Sequence, residues 1–257
     1  MARKLSRRGF LECALAGGAA AGTANLTIMR DAFAQASGPI VIGHHCDLTG
    51  AISSWGVWHD KAAKAAVELI NQGGGIAGRK VELATEDTES NPASGARKLR
   101  NLIQRTNAEF IVGSVHSGVM LAAIPIASEL KTIYFSTGEA TEATGSKGTR
   151  FSFRTGTDTY SIAAASLPWC VESFGKVWTI IYADYAWGQS TAQESRVYIE
   201  RAGGKVINAI PVPLDAKDFV PISRRFPPIP KCCCRRSSAR CRSHSIPRQR
   251  AWGSTRR

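Results

Sequence analysis

From residue 39 onward the chain alternates short β-like runs with stretches of helical periodicity. PIVIGHH at 39–45 reads as a strand. VWHDKAAKAAVELINQGGG at 57–75 reads as a helix, with Ala62, Ala66, Leu69 and Ile70 predicted on its inner face and three glycines to stop it. KVELATED (80–87) is a second strand, after which Asn91 is placed to cap and Pro92 to begin a helix that buries Ala96, Leu99 and Ile103. EFIVGS (109–114), a helix over 118–130 and TIYFST (132–137) continue the series. Strands and helices joined by short connections predict an α/β lobe over 37–157, a doubly wound parallel sheet covered by helices on both faces. A second series follows: a helix at 159–174, VWTIIYAD, a helix at 189–202 and KVINAIPV. It opens a second α/β lobe over 158–222 that is left incomplete. An incomplete lobe predicts unpaired sheet edges, exposed apolar surface and weakened ligand binding.

Charge changes the picture only at the ends. Residues 37–220 hold 17 basic and 18 acidic residues, whereas 221–257 hold 11 Lys or Arg and no acid. The net charge of +13 therefore does not describe the body, which has no basic surface for nucleic acid. At the start, Arg7-Arg8 precede Phe10-Leu11 and an Ala/Gly-rich run, and Ala32-x-Ala34 or Ala34-x-Ala36 offers a cleavage site. Residues 1–36 thus resemble a twin-arginine signal peptide, which implies the twin-arginine export machinery as a partner and a periplasmic location. An uncleaved membrane anchor is the less favoured reading, since the run is short and Arg30 and Asp31 follow closely. Between 37 and 220 only Cys46 and Cys170 occur, and spacing alone does not pair them.

The other end, FPPIPKCCCRRSSARCRSHSIPRQR from Phe226, has no acid and no periodicity. Residues 223–257 read as out-of-frame text rather than an evolved module. A basic arm for nucleic acid or an anionic surface is the minor alternative. Three adjacent cysteines, Cys232–Cys234, cannot easily share one tetrahedral zinc.

Three further patterns imitate chemistry. Gly73 to Gly78 spell G-x-G-x-x-G, but a helix precedes and a strand follows, the reverse of a dinucleotide site, so no cofactor is expected. His44, His45, Cys46 and Asp47 look like metal ligands, yet strand neighbours point to opposite faces and no metal is expected there. Ser117 lacks the context of a catalytic nucleophile. With no catalytic pair found, an enzyme is not expected.

The stretch IVIGHHCDLTGAISSWG followed by AAVELINQGGGIAGRKVELATEDTESNP closely resembles the periplasmic leucine/isoleucine/valine-binding proteins of ABC transporters. SVHSGVM, STGEATEAT, FRTGTD and YADYAWGQS follow in family order, so the resemblance spans about 38–222. It implies a type I periplasmic-binding-protein clamshell of two doubly wound lobes that closes on an amino acid or related amide and delivers it to an ABC permease in the inner membrane. It also implies that Ser117 and the Gly138–Thr141 loop take the ligand's carboxylate and ammonium, that Trp55 packs on its side chain, and that Trp187 is an aromatic lid. Two features depart from the family: the chain does not reach the later loop that supplies an acid for the ammonium, with His116 and Ser90 standing where some relatives carry a disulfide, and after LDAKDFVP it turns at about Ser223 into Arg/Ser/Pro/Cys text. An amide, urea or an aromatic acid are thus equal candidates as ligand, with Glu139, Asp184 and His116 near the expected cleft. A ligand-sensing receptor domain of the same fold is the alternative function.

Overall fold

The computed structural model describes residues 38–225; the signal peptide read at 1–36 and all but the first three residues of the tail read at 223–257 lie outside the described residues. Five parallel strands form the first sheet: β1 (Ile40–Cys46), β2 (Val81–Asp87), β3 (Phe110–Gly113), β4 (Ile133–Ser136) and β5 (Ser152–Arg154), in the order β2-β1-β3-β4-β5. Two more, β6 (Val177–Ala183) and β7 (Lys205–Val212), pair in parallel as a second sheet. The helices are α1 (Ser53–Gln72), α2 (Pro92–Gln104), α3 (Ser117–Glu129), α4 (Thr159–Phe174) and α5 (Ala186–Arg201), with one further turn at Val220–Ser223.

The first lobe is built around the covered face of its sheet. Leu99 and Leu102 of α2, Met120, Ala123 and Ile124 of α3, and Ile111 and Tyr134 of the sheet form one core. Asn91 caps α2 as read, its side chain accepting from the N–H groups of Ala93 (2.9 Å) and Ser94 (3.0 Å), with Pro92 as the first helical residue. The innermost residues of α2 are Ser94, Gly95, Leu99 and Leu102; Ala96 and Ile103 flank the core as partly buried neighbours.

Helix α1 departs further from its sequence reading. Ala62, Ala66 and Leu69 face solvent, Leu69 with 68% of its surface exposed. The stripe turned to the sheet is Gly56, Asp60, Ala63, Val67 and Asn71, spaced by three or four residues but half polar. Asn71 takes the place of an apolar contact: it donates to the carbonyl of Val81 and accepts from its N–H, both at 2.8 Å. Strand β5 carries no legible period in three residues and was not expected as a strand.

Only part of the second sheet face is covered. Alternation puts Phe110, Val112, Ile133, Phe135 and Phe153 on the side opposite Ile111 and Tyr134. The rings of Phe135 and Phe153 stack at 5.4 Å, while Phe110 and Phe153 remain 39% and 46% exposed. In the second lobe Val171, Ile199 and Val206 make a small core between α4, α5 and β7, and Val177, Ile181 and Ile207 stay exposed.

Candidate functional site

Strand β1 is flanked by β2 and β3, so the sheet order reverses beside it, and loops leaving the carboxyl ends of β1 and β3 open a crevice there. Asp47, just past β1, is fully buried at that point. Its carboxylate accepts from the N–H groups of Val115 (2.7 Å) and His116 (3.1 Å), from the Ser114 hydroxyl (2.9 Å) and from the Thr88 hydroxyl. One buried carboxylate thus receives the donors of two loops, those after β2 and β3, and fixes where α3 begins. His116 then caps α3, its Nδ1 accepting from the Val119 N–H at 3.2 Å.

A second carboxylate shapes the loop after β1. Asp87 accepts from the N–H groups of Leu48 (3.0 Å), Thr49 (3.1 Å) and Glu89 (2.9 Å) and from the Thr49 hydroxyl (2.6 Å). Burial opposes its charge, but these hydrogen bonds outweigh that effect and hold the carboxyl below its ordinary range. The ordered loop leads to α1 and presents Trp55.

Beneath the crevice a polar layer joins the strands. His45 has no exposed surface; its Nε2 lies 2.8 Å from the Gly95 carbonyl and its Nδ1 3.3 Å from the Tyr134 hydroxyl. A carbonyl can only accept, so Nε2 carries the proton and Nδ1 accepts from Tyr134, whose oxygen in turn accepts from the Ser114 N–H at 3.3 Å. Burial above all pushes the His45 pKa down to about 4, keeping the ring neutral. His44 points to the α1 side of the sheet, 3.7 Å from Asp60. Cys46 donates its S–H to the Gly56 carbonyl at 3.2 Å, and burial, with the Asp47 charge second, pushes its thiol up to about 12. Cys46 and Cys170 are both free thiols. Among the described residues no group of three or more His, Cys, Asp or Glu is placed to hold a metal ion.

The cleft itself lies between the lobes. It encloses about 370 Å³ and is lined by Trp55, His59, Val115, Thr137 and Glu139 from the first lobe, Thr157 from the crossover, and Tyr185 and Trp187 from the second. Glu139 spans it: Oε2 accepts from the Trp187 indole N–H at 2.8 Å and Oε1 from the Thr157 hydroxyl at 3.3 Å. The Tyr185 ring packs on His116 at 4.8 Å and on Trp187 at 6.1 Å. Burial first, then the charges of Glu139 and Asp47, push the Tyr185 phenol up to about 12.

Of the five residues expected at the site, Trp55 and Trp187 line this cleft, and Ser117, Gly138 and Thr141 stand behind it. Ser117 is 1% exposed, and its hydroxyl oxygen accepts from the N–H groups of Glu139 (3.1 Å) and Ala140 (3.3 Å). Gly138 is buried, donates to the Ser136 hydroxyl at 3.2 Å, and a Cβ there would press on the Met120 side chain. Thr141 belongs to a hydroxyl cluster between the lobes, 2.8 Å from Thr159 Oγ1, with its N–H donating to Ser190 Oγ at 3.2 Å. These three shape the loop that carries Glu139. Tyr185 was missed as a lining residue although it sits two residues before Trp187, and Asp47 was read only as part of a false metal motif.

The two lobes present their tryptophans in the same way. Trp55-Gly56 lies in the first turn of α1 and Trp187-Gly188 in the first turn of α5. Both glycines are buried, and a Cβ would overlap the carbonyl of Asp47 in the first case and of Ala183 in the second. The missing side chain lets each helix press its first turn onto the end of the preceding strand, and the neighbouring tryptophan is thereby held in the cleft.

Residues 39–226 match the profile of a family described as periplasmic binding protein. A Leu/Ile/Val-binding protein homolog of Brucella abortus (strain 2308) is 26% identical over 183 residues, covering 70% of this chain and 48% of its own length. The substrate-binding protein BasB of a chemotactic signal transduction system in Halobacterium salinarum is 29% identical over 182 residues, covering 67% of this chain and 43% of its own length. The crystal structure of a periplasmic binding protein from Burkholderia mallei superposes with a TM-score of 0.66 at 28% identity, covering 70% of this chain and 48% of the other. The chain thus spans about half the length of the curated relatives it matches.

Proposed function

Because this chain belongs to the periplasmic binding protein family, we propose that it is the solute-binding component of an ABC transporter, capturing an amino acid or related small molecule in its cleft and delivering it to an inner-membrane permease. The observation that carries this reading is a cavity of about 370 Å³ walled by an aromatic residue from each lobe, Trp55 and Trp187, and crossed by Glu139. That volume suits a small metabolite, and a site shared by two lobes couples its occupation to their closure. A ligand stabilises the closed form only as far as it touches both sides, which Trp55 on one and Tyr185 and Trp187 on the other provide. In this reading Trp55 and Trp187 touch the ligand, while Ser117, Gly138 and Thr141 hold the Glu139 loop in place. Export by the twin-arginine machinery to the periplasm, read from residues 7–11, belongs to the same proposal, as does the absence of a nucleic-acid partner.

The cleft has recognition groups and no nucleophile paired with a base, so the proposed role is binding without turnover. A receptor role is the second reading, favoured by the similarity to a relative named for chemotactic signal transduction. Isothermal calorimetry of the chain against amino acids, small amides and aromatic acids tests the proposal: saturable, one-to-one heat with one class is expected, and recovery of the ligand unchanged. Conversion of any bound compound would overturn the binding-only role, and the absence of saturable heat across all classes would overturn solute capture.

A further inference from the structure

The cleft has an uneven balance of charge. Among the described residues Glu139 is its only carboxylate, and neither Lys nor Arg lines it. Glu139 is also without a cationic partner: among the described residues no ion pair includes it, and its two oxygens accept only from the neutral groups of Trp187 and Thr157. A half-buried carboxylate facing a cavity repels an anion and attracts a cation, more strongly as water is displaced. Besides His59 and the neutral residues of the wall, the aromatic side chains favour the same sign. Trp55, Tyr185 and Trp187 contribute three aromatic rings to one small cavity, with the last two rings 6.1 Å apart and inclined by 34°. Aromatic faces are electron-rich, and several of them around one space, closed by an acid, make a receptor for a cation whose charge is spread over alkyl groups.

Resting on the solute-binding reading above, we infer that the cleft selects a ligand with an alkylated ammonium group, held by the Glu139 carboxylate within a cage of Trp55, Tyr185 and Trp187. A primary ammonium is a poorer match, because its three N–H donors need directed acceptors and the cage offers one carboxylate whose oxygens are already shared. A quaternary or tertiary ammonium asks only for negative potential and apolar contact. The acid thus comes from the first lobe, in the loop held by Ser117, and needs no residue beyond those described.

The test measures the full chain by calorimetry at pH 8 with five probes: choline, glycine betaine, leucine, benzoate, and 3,3-dimethyl-1-butanol, the uncharged carbon isostere of choline. Choline or glycine betaine is expected to bind saturably, at least about tenfold more tightly than the isostere, since shape is the same and only the charge differs. The Glu139→Gln variant is expected to lose at least about fivefold toward choline and nothing toward the isostere. The inference fails, with solute binding left standing, if the isostere or benzoate binds as tightly as choline, or if leucine alone saturates. Both readings fail if none of the five, and none of the amino acids, small amides and aromatic acids named above, binds up to about ten millimolar. The comparison of choline with its isostere uses the unaltered chain and so does not depend on the variant folding.

Discussion

His45 shows how much of this protein's behaviour is set by single buried groups. Its ring is neutral in the fold because protonation would bring a charge into a fully buried site, and its pKa is about 4 against an ordinary 6.5. Between those values the unfolded chain binds the proton and the folded chain does not, so stability rises with pH through this window and falls on acidification from about 6.5 to about 4. Below about 4 both states are protonated and this loss is complete, at about 3 kcal/mol. Denaturant melts at a series of pH values should show that slope, and it should flatten in His45→Gln. Asp47→Asn tests the other buried hub. The amide keeps one oxygen but turns an N–H toward donors that need an acceptor, so a loss of about 2–3 kcal/mol is expected in the same melts. Neither role was legible beforehand. His44 to Asp47 are adjacent in sequence, but what matters is that β1 lies between β2 and β3, which brings Thr88 and Ser114–His116 to Asp47. Trp55 and Trp187 were expected at the cleft only through the resemblance of their segments to the leucine/isoleucine/valine-binding family, since neither residue type nor spacing alone assigns a lining role.

At the scale of elements, helix α2 was readable to the residue at its start because Asn91-Pro92 states a cap in its chemistry. Removing the cap by Asn91→Ala should cost about 1 kcal/mol without changing the fold, as thermal melts would show. Helices α1 and α5 begin four and three residues before their sequence readings of 57 and 189. Glycine in the first turn looks like loop when propensity is all there is to go on. Its purpose is the close approach of helix to strand, and that is a tertiary fact. Gly56→Ala and Gly188→Ala should therefore each destabilise by more than an ordinary helical alanine gains, about 1–3 kcal/mol or more, and should shift Trp55 and Trp187 in the cleft. The inner face of α1 was misread for a related reason. Asp60 and Asn71 point inward because the strands below them offer His44 and the Val81 backbone, so polarity did not mark the solvent side.

On the whole molecule, alternation of two periods was enough to announce two α/β lobes, since parallel strands need crossover helices. It did not announce which sheet face would be covered. The chain spans about half the length of its curated relatives, and the uncovered rings of Phe110 and Phe153 lie on the side of the first sheet away from α2 and α3. Apolar surface of this kind promotes association. Light scattering over a range of concentrations should show growing mass, and Phe110→Ser with Phe153→Ser should reduce it more than a pair of exposed changes on α1. A population lost to such association also limits how far any ligand can raise the melting temperature, because stabilisation by mass action acts only on chains with a competent cleft. A small saturable shift in the associating chain, enlarged in the double variant, is the expected pattern.

The bond from the Trp187 indole to Glu139 has an optical consequence. Trp187 is half-buried and donates across the gap between the lobes, whereas Trp55 is 66% exposed and already samples water. Opening the cleft exchanges a fixed carboxylate for mobile water at the indole nitrogen, and emission follows the polarity and mobility around that ring. The chain therefore carries an intrinsic chromophore for the lobe closure that the proposed solute-binding role requires. Its emission spectrum should move to longer wavelength on opening, and a stopped-flow trace of that movement, absent in Trp187→Phe, should time the closing of the lobes without a label attached.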